Sequence, residues 1–165
     1  MNAKLIILEM IVICILFTIM VFKTTGKNSV TQVHNYPPEI QEEYFKTHER
    51  IPTEPLSPRV IIIKSIAILM FTGILLLLAI LSGARNFLQG FLFSFGMMLI
   101  IGLYDTLFLD WVLFANMKRF RLPGTEHMDK EYHQKWFHLK GMLFPGFVFA
   151  IIPALLVGAI VYLIY

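Results

Sequence analysis

Residues 91–115 read FLFSFGMMLIIGLYDTLFLDWVLFA, 25 residues in which only Asp105 and Asp110 carry charge. At 1.5 Å per residue, a helix of this length crosses a hydrocarbon core of roughly 30 Å. A helix this apolar all round belongs in a bilayer rather than on a soluble surface. Three further runs share the property: Leu5–Phe22, Val60–Leu81 and Met142–Tyr165. Within all four, the charged residues are Glu9, Lys64, Asp105 and Asp110. The prediction is an all-α, integral membrane four-helix bundle, residues 1–165 forming one membrane domain with loops over 23–59 and 116–141.

Composition agrees. Apolar residues make up 57% of the chain and charged residues 15%, and the mean hydropathy is +0.70. A soluble domain would have to bury four unbroken apolar helices. The net charge of +3 is not gathered into a basic run interleaved with aromatics, so nucleic acid is not an expected partner. Cys14 is the single cysteine, which removes intrachain disulfides and cysteine-based zinc sites. The first run lacks a small-x-small cleavage site and is followed by Lys23, which favours a retained anchor over a signal peptide.

Lysines and arginines set the expected orientation. Segment 23–59 holds five (Lys23, Lys27, Lys46, Arg50, Arg59), and segment 116–141 holds six (Lys118, Arg119, Arg121, Lys130, Lys135, Lys140). The opposite side has Lys4 and Arg85. Basic loops stay in the cytoplasm, which predicts two cytoplasmic loops and both termini outside.

Both loops carry helix signals. Pro37 and Pro38 open a helix that places Ile40 and Tyr44 on one face, and Pro52, Pro55 and Pro58 lead out to the second span. In the second loop Pro123-Gly124 marks a turn and Thr125 a cap. A helix over about Glu126–Lys140 follows, with Met128, Tyr132, Trp136 and Leu139 as an interfacial stripe.

An ionisable group inside a span costs roughly 2.5–3.5 kcal/mol on insertion scales, so partners are expected. The short connection Ser82–Gly90 makes spans two and three an antiparallel hairpin, bringing Lys64 near the depth of Asp110. The alternative is Lys64 snorkelling to the headgroups. Glu9 near the outer end of span one pairs on paper with Arg85. Asp105 has no evident partner. Ten residues from Ala115, it lies about 15 Å deep. At 100° per residue Asp110 is turned about 140° from it. One reading makes Asp105 a proton or cation site; the other ends the span near Tyr104 and lets residues 105–120 emerge into the cytoplasm.

Span four carries no charge. Gly146, Ala150, Ala154 and Gly158 recur every four residues, a face on which another helix can approach closely, and Pro153 interrupts its middle. That face is the expected contact with a second copy or a larger membrane complex.

The stretch LPGTEHMDKEYHQKWFHLKG (122–141) supplies Glu126, Asp129, His133 and His138 as candidate ligands for a divalent metal. It lacks the H-E-x-x-H pattern, and no histidine lies within a span to hold haem. No cofactor is expected beyond that metal possibility. Nucleophile-elbow and Walker-type signatures are absent.

Tyr104-Asp105, Leu109-Asp110-Trp111, Pro123-Gly124-Thr125-Glu126 and the Trp136–Gly141 segment WFHLKG resemble small multi-span bacterial membrane proteins. The resemblance covers mainly residues 85–160. It implies a bacterial cytoplasmic membrane and carries no activity, ligand or catalytic residue.

The functional expectation is a transport, accessory or sensing component whose polar intramembrane site draws on Asp105, Asp110, Lys64 and Glu9. The alternatives are a metal-dependent enzyme acting on lipid headgroups, with Asp110, Glu126, His133 and His138 converging, and a purely structural subunit.

Overall fold

The computed structural model describes residues 1–25, 29–50 and 57–165. Lys27, Pro52 and Pro55 lie outside the described residues. Among those described, every regular element is helical: α1 (Ala3–Thr24), α2 (Pro38–Tyr44), α3 (Pro58–Leu81), α4 (Phe87–Tyr104), α5 (Asp129–Tyr132), α6 (Lys135–Gly141) and α7 (Phe147–Ile164). Among the described residues, four helices are long and apolar enough to cross a membrane, one in each of the four apolar runs.

The helix ends follow local chemistry. Ser57 caps α3, its side chain accepting from the Val60 N–H, and Pro58 fills the first turn where its missing donor costs nothing. Gly83 takes φ +89 to turn the chain toward α4. The fourth apolar run begins at Met142, but α7 begins only at Phe147. Phe144, held by the following Pro145, adopts extended backbone (φ −154, ψ 116) and separates α6 from α7.

Packing divides the chain into two compact units, Met1–Ile13 with Thr53–Gly102 and Leu143–Tyr165, and Cys14–Pro52 with Leu103–Met142.

In the first unit, Leu75 and Ala79 of α3, Phe93 and Met97 of α4, and Val157 and Val161 of α7 form a buried core, with Ile6 and Met10 of α1 against it. The outward faces are equally apolar: Ile62, Leu69, Leu77, Leu92 and Leu163 are all exposed. An apolar exterior around an apolar interior is what a lipid solvent tolerates and water does not.

Ala150, Ala154 and Gly158 are buried within this unit. A Cβ on Gly90 would sit 3.2 Å from the Gly158 Cα, and one on Gly158 would sit 3.0 Å from the Phe87 carbonyl oxygen. The ladder expected to meet a second copy is therefore occupied by the chain's own helices, with Gly146 at its half-exposed end.

The second unit joins the two long loops. Val33, Tyr36, Ile40 and Tyr44 from the first pack with Leu122 and Tyr132 from the second in one buried cluster. Tyr36 Oη donates to the Phe120 carbonyl at 2.7 Å, and Gln134 Nε2 donates to Glu39 Oε2 at 3.0 Å. The two loops thus fold onto each other. Ile40 and Tyr44 share the buried face of α2 as anticipated. Beyond that helix, Lys46 hydrogen-bonds Glu43 and holds its carboxyl below the ordinary range.

The single helix expected over Glu126–Lys140 is instead two short ones, α5 and α6, broken at His133 and Gln134. Thr125 does not cap them. It is fully buried, donates to the Leu122 carbonyl at 2.8 Å and bonds the Tyr132 hydroxyl at 2.7 Å. That hydroxyl also accepts from the Leu122 N–H at 2.8 Å, so Tyr132 is drawn inward while Trp136 stays 72% exposed. The continuous interfacial stripe is not formed.

Candidate functional site

The helix that begins as α4 changes winding at Asp105. Residues Asp105–Phe114 are π-helical, and the ladder closes with the Ala115 N–H bonded to the Asp110 carbonyl. π-Helical turns are rare and tend to mark functional sites. The change decides which side chains share a face. In an α-helix, residues five apart diverge by about 140°. With hydrogen bonds running from i to i+5 the chain turns less per residue, and that divergence is markedly reduced. Asp105 and Asp110 consequently line the same cavity, a space of about 340 Å³. The expectation that they face apart is corrected by the winding.

His138 of α6 completes the polar wall. Its Nδ1 lies 3.0 Å from Asp110 Oδ2, its side chain is 8% exposed, and its ring meets Phe114 edge-on at 5.4 Å. Its Nε2 is buried without a partner among the described residues. Asp105 is half-buried and makes no hydrogen bond or ion pair there. Thr24, Thr25 and Asn35 from the end of α1 and the following loop line the cavity, as do Phe17, Tyr36 and Phe120. Thr18 Oγ1 and Tyr104 Oη, 2.8 Å apart, tie α1 to the start of the π-helical segment.

The remaining candidates lie elsewhere. Glu9 is buried and its Oε2 accepts from Ser82 Oγ at 2.7 Å, while its Oε1 has no partner among the described residues. The anticipated ion pair with Arg85 is not formed. Arg85 donates to the Ala84 carbonyl at 2.8 Å and lies 4.4 Å over the Tyr165 ring. Lys64 sits on an exposed face of α3, and Asp110 takes His138 as its partner.

Of the proposed metal ligands, Asp129 contacts Arg121 at 2.7 Å and His133 at 3.7 Å, and Glu126 is exposed. They do not converge with His138. Among the described residues, no three His, Cys, Asp or Glu side chains gather to hold a metal.

Arg121 was not legible as a site residue. Only 9% exposed at its side chain, it stacks 3.9 Å over Tyr132 and donates to the Ala115 carbonyl at 2.8 Å, fixing the loop that follows the π-helical segment.

Comparison with known families, curated proteins and solved structures found no match.

Proposed function

We propose that this chain is an integral membrane transport, accessory or sensing component whose working part is a proton- or cation-accepting site formed by Asp105, Asp110 and His138. One observation carries the reading. A helix apolar enough to cross a membrane abandons α-winding where its two carboxylates occur, and both then line one cavity beside a buried histidine. Ionisable groups within spans are costly and are kept where protons or ions are handled. The apolar exterior supports a location in a cell membrane. The basic residues, eleven in the two long loops against two on the other side, favour cytoplasmic loops and external termini. A C-terminal reporter active only in the cytoplasm should stay silent.

The site is tested through Trp111, which adjoins Asp110 and lines a small space with Asp110 and His138. With Trp136 replaced by Phe, Trp111 emission from the chain in nanodiscs should titrate with pH. Asp105→Asn and Asp110→Asn should each alter that titration. A profile identical in wild type and both variants contradicts the reading.

A further inference from the structure

Among the described residues, the cavity walls offer more hydrogen-bond acceptors than donors. Thr24 Oγ1 gives its proton to the Met20 carbonyl at 3.0 Å and Thr25 Oγ1 to the Val21 carbonyl. Each hydroxyl has one proton, so what remains on it is lone pairs. Asn35 Nδ2 gives one of its two protons to Gln32 Oε1 at 2.6 Å, so the donors left on the wall are the rest of these two amides.

His138 adds an unpartnered ring nitrogen. Its Nδ1 lies 3.0 Å from Asp110 Oδ2, and its buried Nε2 has no partner among the described residues. The Asp105 carboxylate has neither hydrogen bond nor ion pair among the described residues. Among the described residues, no lysine or arginine lines the cavity.

Building on the proton- or cation-site reading, we propose that the Asp105–Asp110–His138 cavity binds the primary ammonium group of a small organic amine. Such a group brings one positive charge and three N–H donors to a wall that offers acceptors and negative charge. Its carbon stem matches Phe17, Met20, Leu109 and Leu113 on the remaining wall. About 340 Å³ suits a small ligand. A bare divalent ion fits less well, because the described residues do not gather three metal-ligating side chains. The same ammonium chemistry is offered by a soluble amine and by an ethanolamine lipid headgroup.

The test is calorimetric titration of the full chain in phosphatidylglycerol nanodiscs with n-butylamine, tetramethylammonium and potassium. Saturable butylamine binding is expected, at least tenfold weaker in Asp105→Asn and in Asp110→Asn, with tetramethylammonium and potassium failing to compete. Phosphatidylethanolamine in the nanodisc separates the sources: loss of butylamine binding identifies the headgroup as occupant, and retention identifies a soluble amine.

Carbodiimide labelling of Asp105 in the wild-type chain, read by mass spectrometry, should slow when butylamine is present, whether or not the variants fold. Absence of saturable binding, equal binding of tetramethylammonium, or labelling indifferent to butylamine overturns the proposal. If butylamine fails while Trp111 still reports a carboxylate-dependent pH response, only the ligand class falls. If both fail, the site reading falls with it.

Discussion

Asp105 and Asp110, five residues apart, line one cavity because the helix between them is wound with i to i+5 hydrogen bonds. Restoring α-winding would turn one carboxylate away from the other, so the site depends on backbone geometry as much as on residue identity. His138 is held against Asp110 by a separate helix, so the constellation requires the second loop to be folded.

Removing His138 should therefore do more than delete a side chain. His138→Ala leaves the Asp110 carboxylate without its one close polar contact, an expected loss of about 1–3 kcal/mol in detergent unfolding. Combining it with Asp110→Asn should recover part of that loss, since the stranded charge is gone. Simple additivity of the two substitutions would show that they do not interact.

The close approach of α4 and α7 at Gly90 and Gly158 predicts steric sensitivity there. Gly90→Val or Gly158→Val should cost about 1–3 kcal/mol by overpacking. Gly73, with nothing within 4 Å of its notional Cβ, should accept alanine with unchanged or raised thermal stability. Equal effects at the three positions would contradict the packing.

Tyr132 anchors the second loop through its hydroxyl. Tyr132→Phe strands the buried Leu122 N–H and should cost about 1–3 kcal/mol, seen as faster proteolysis within residues 116–141. An unchanged digestion rate would mean that the hydroxyl is not holding the loop.

Glu9 has one hydrogen-bond partner among the described residues, Ser82. Ser82→Ala should destabilise the chain by about 1.5–3 kcal/mol, and Glu9→Ala added to it should restore part of the loss. The restoration, measured by thermal unfolding, distinguishes a stranded carboxylate from a general packing defect.

The four long helices were legible because hydrophobic length alone specifies them. The α2 helix was legible because Pro37-Pro38 and the Ile40–Tyr44 spacing are local signals. The site was only half legible. Asp105 and Asp110 stood out as charges in an apolar run, but 100° geometry sent them to different faces, and the run itself carries no residue that announces π-winding. The partner of Asp110 was also missed. A depth argument favoured Lys64, whereas His138 reaches Asp110 from a loop whose expected single helix is broken at His133–Gln134. Tyr36, Thr24 and Thr25 gave no signal, since their place at the cavity depends on two loops nearly a hundred residues apart packing together.

The most direct measurement is thiol accessibility at position 105. In a Cys14→Ser background, Asp105→Cys is compared with Leu107→Cys, on an exposed apolar face, and with Asn116→Cys, at an exposed polar position. A cavity-facing cysteine should react with a small water-soluble cationic thiol reagent, more slowly than position 116, while position 107 reacts only with a lipid-dissolved maleimide. Position 105 behaving like 107 would place it in lipid, and behaving like 116 would place it in bulk water; either result contradicts the account.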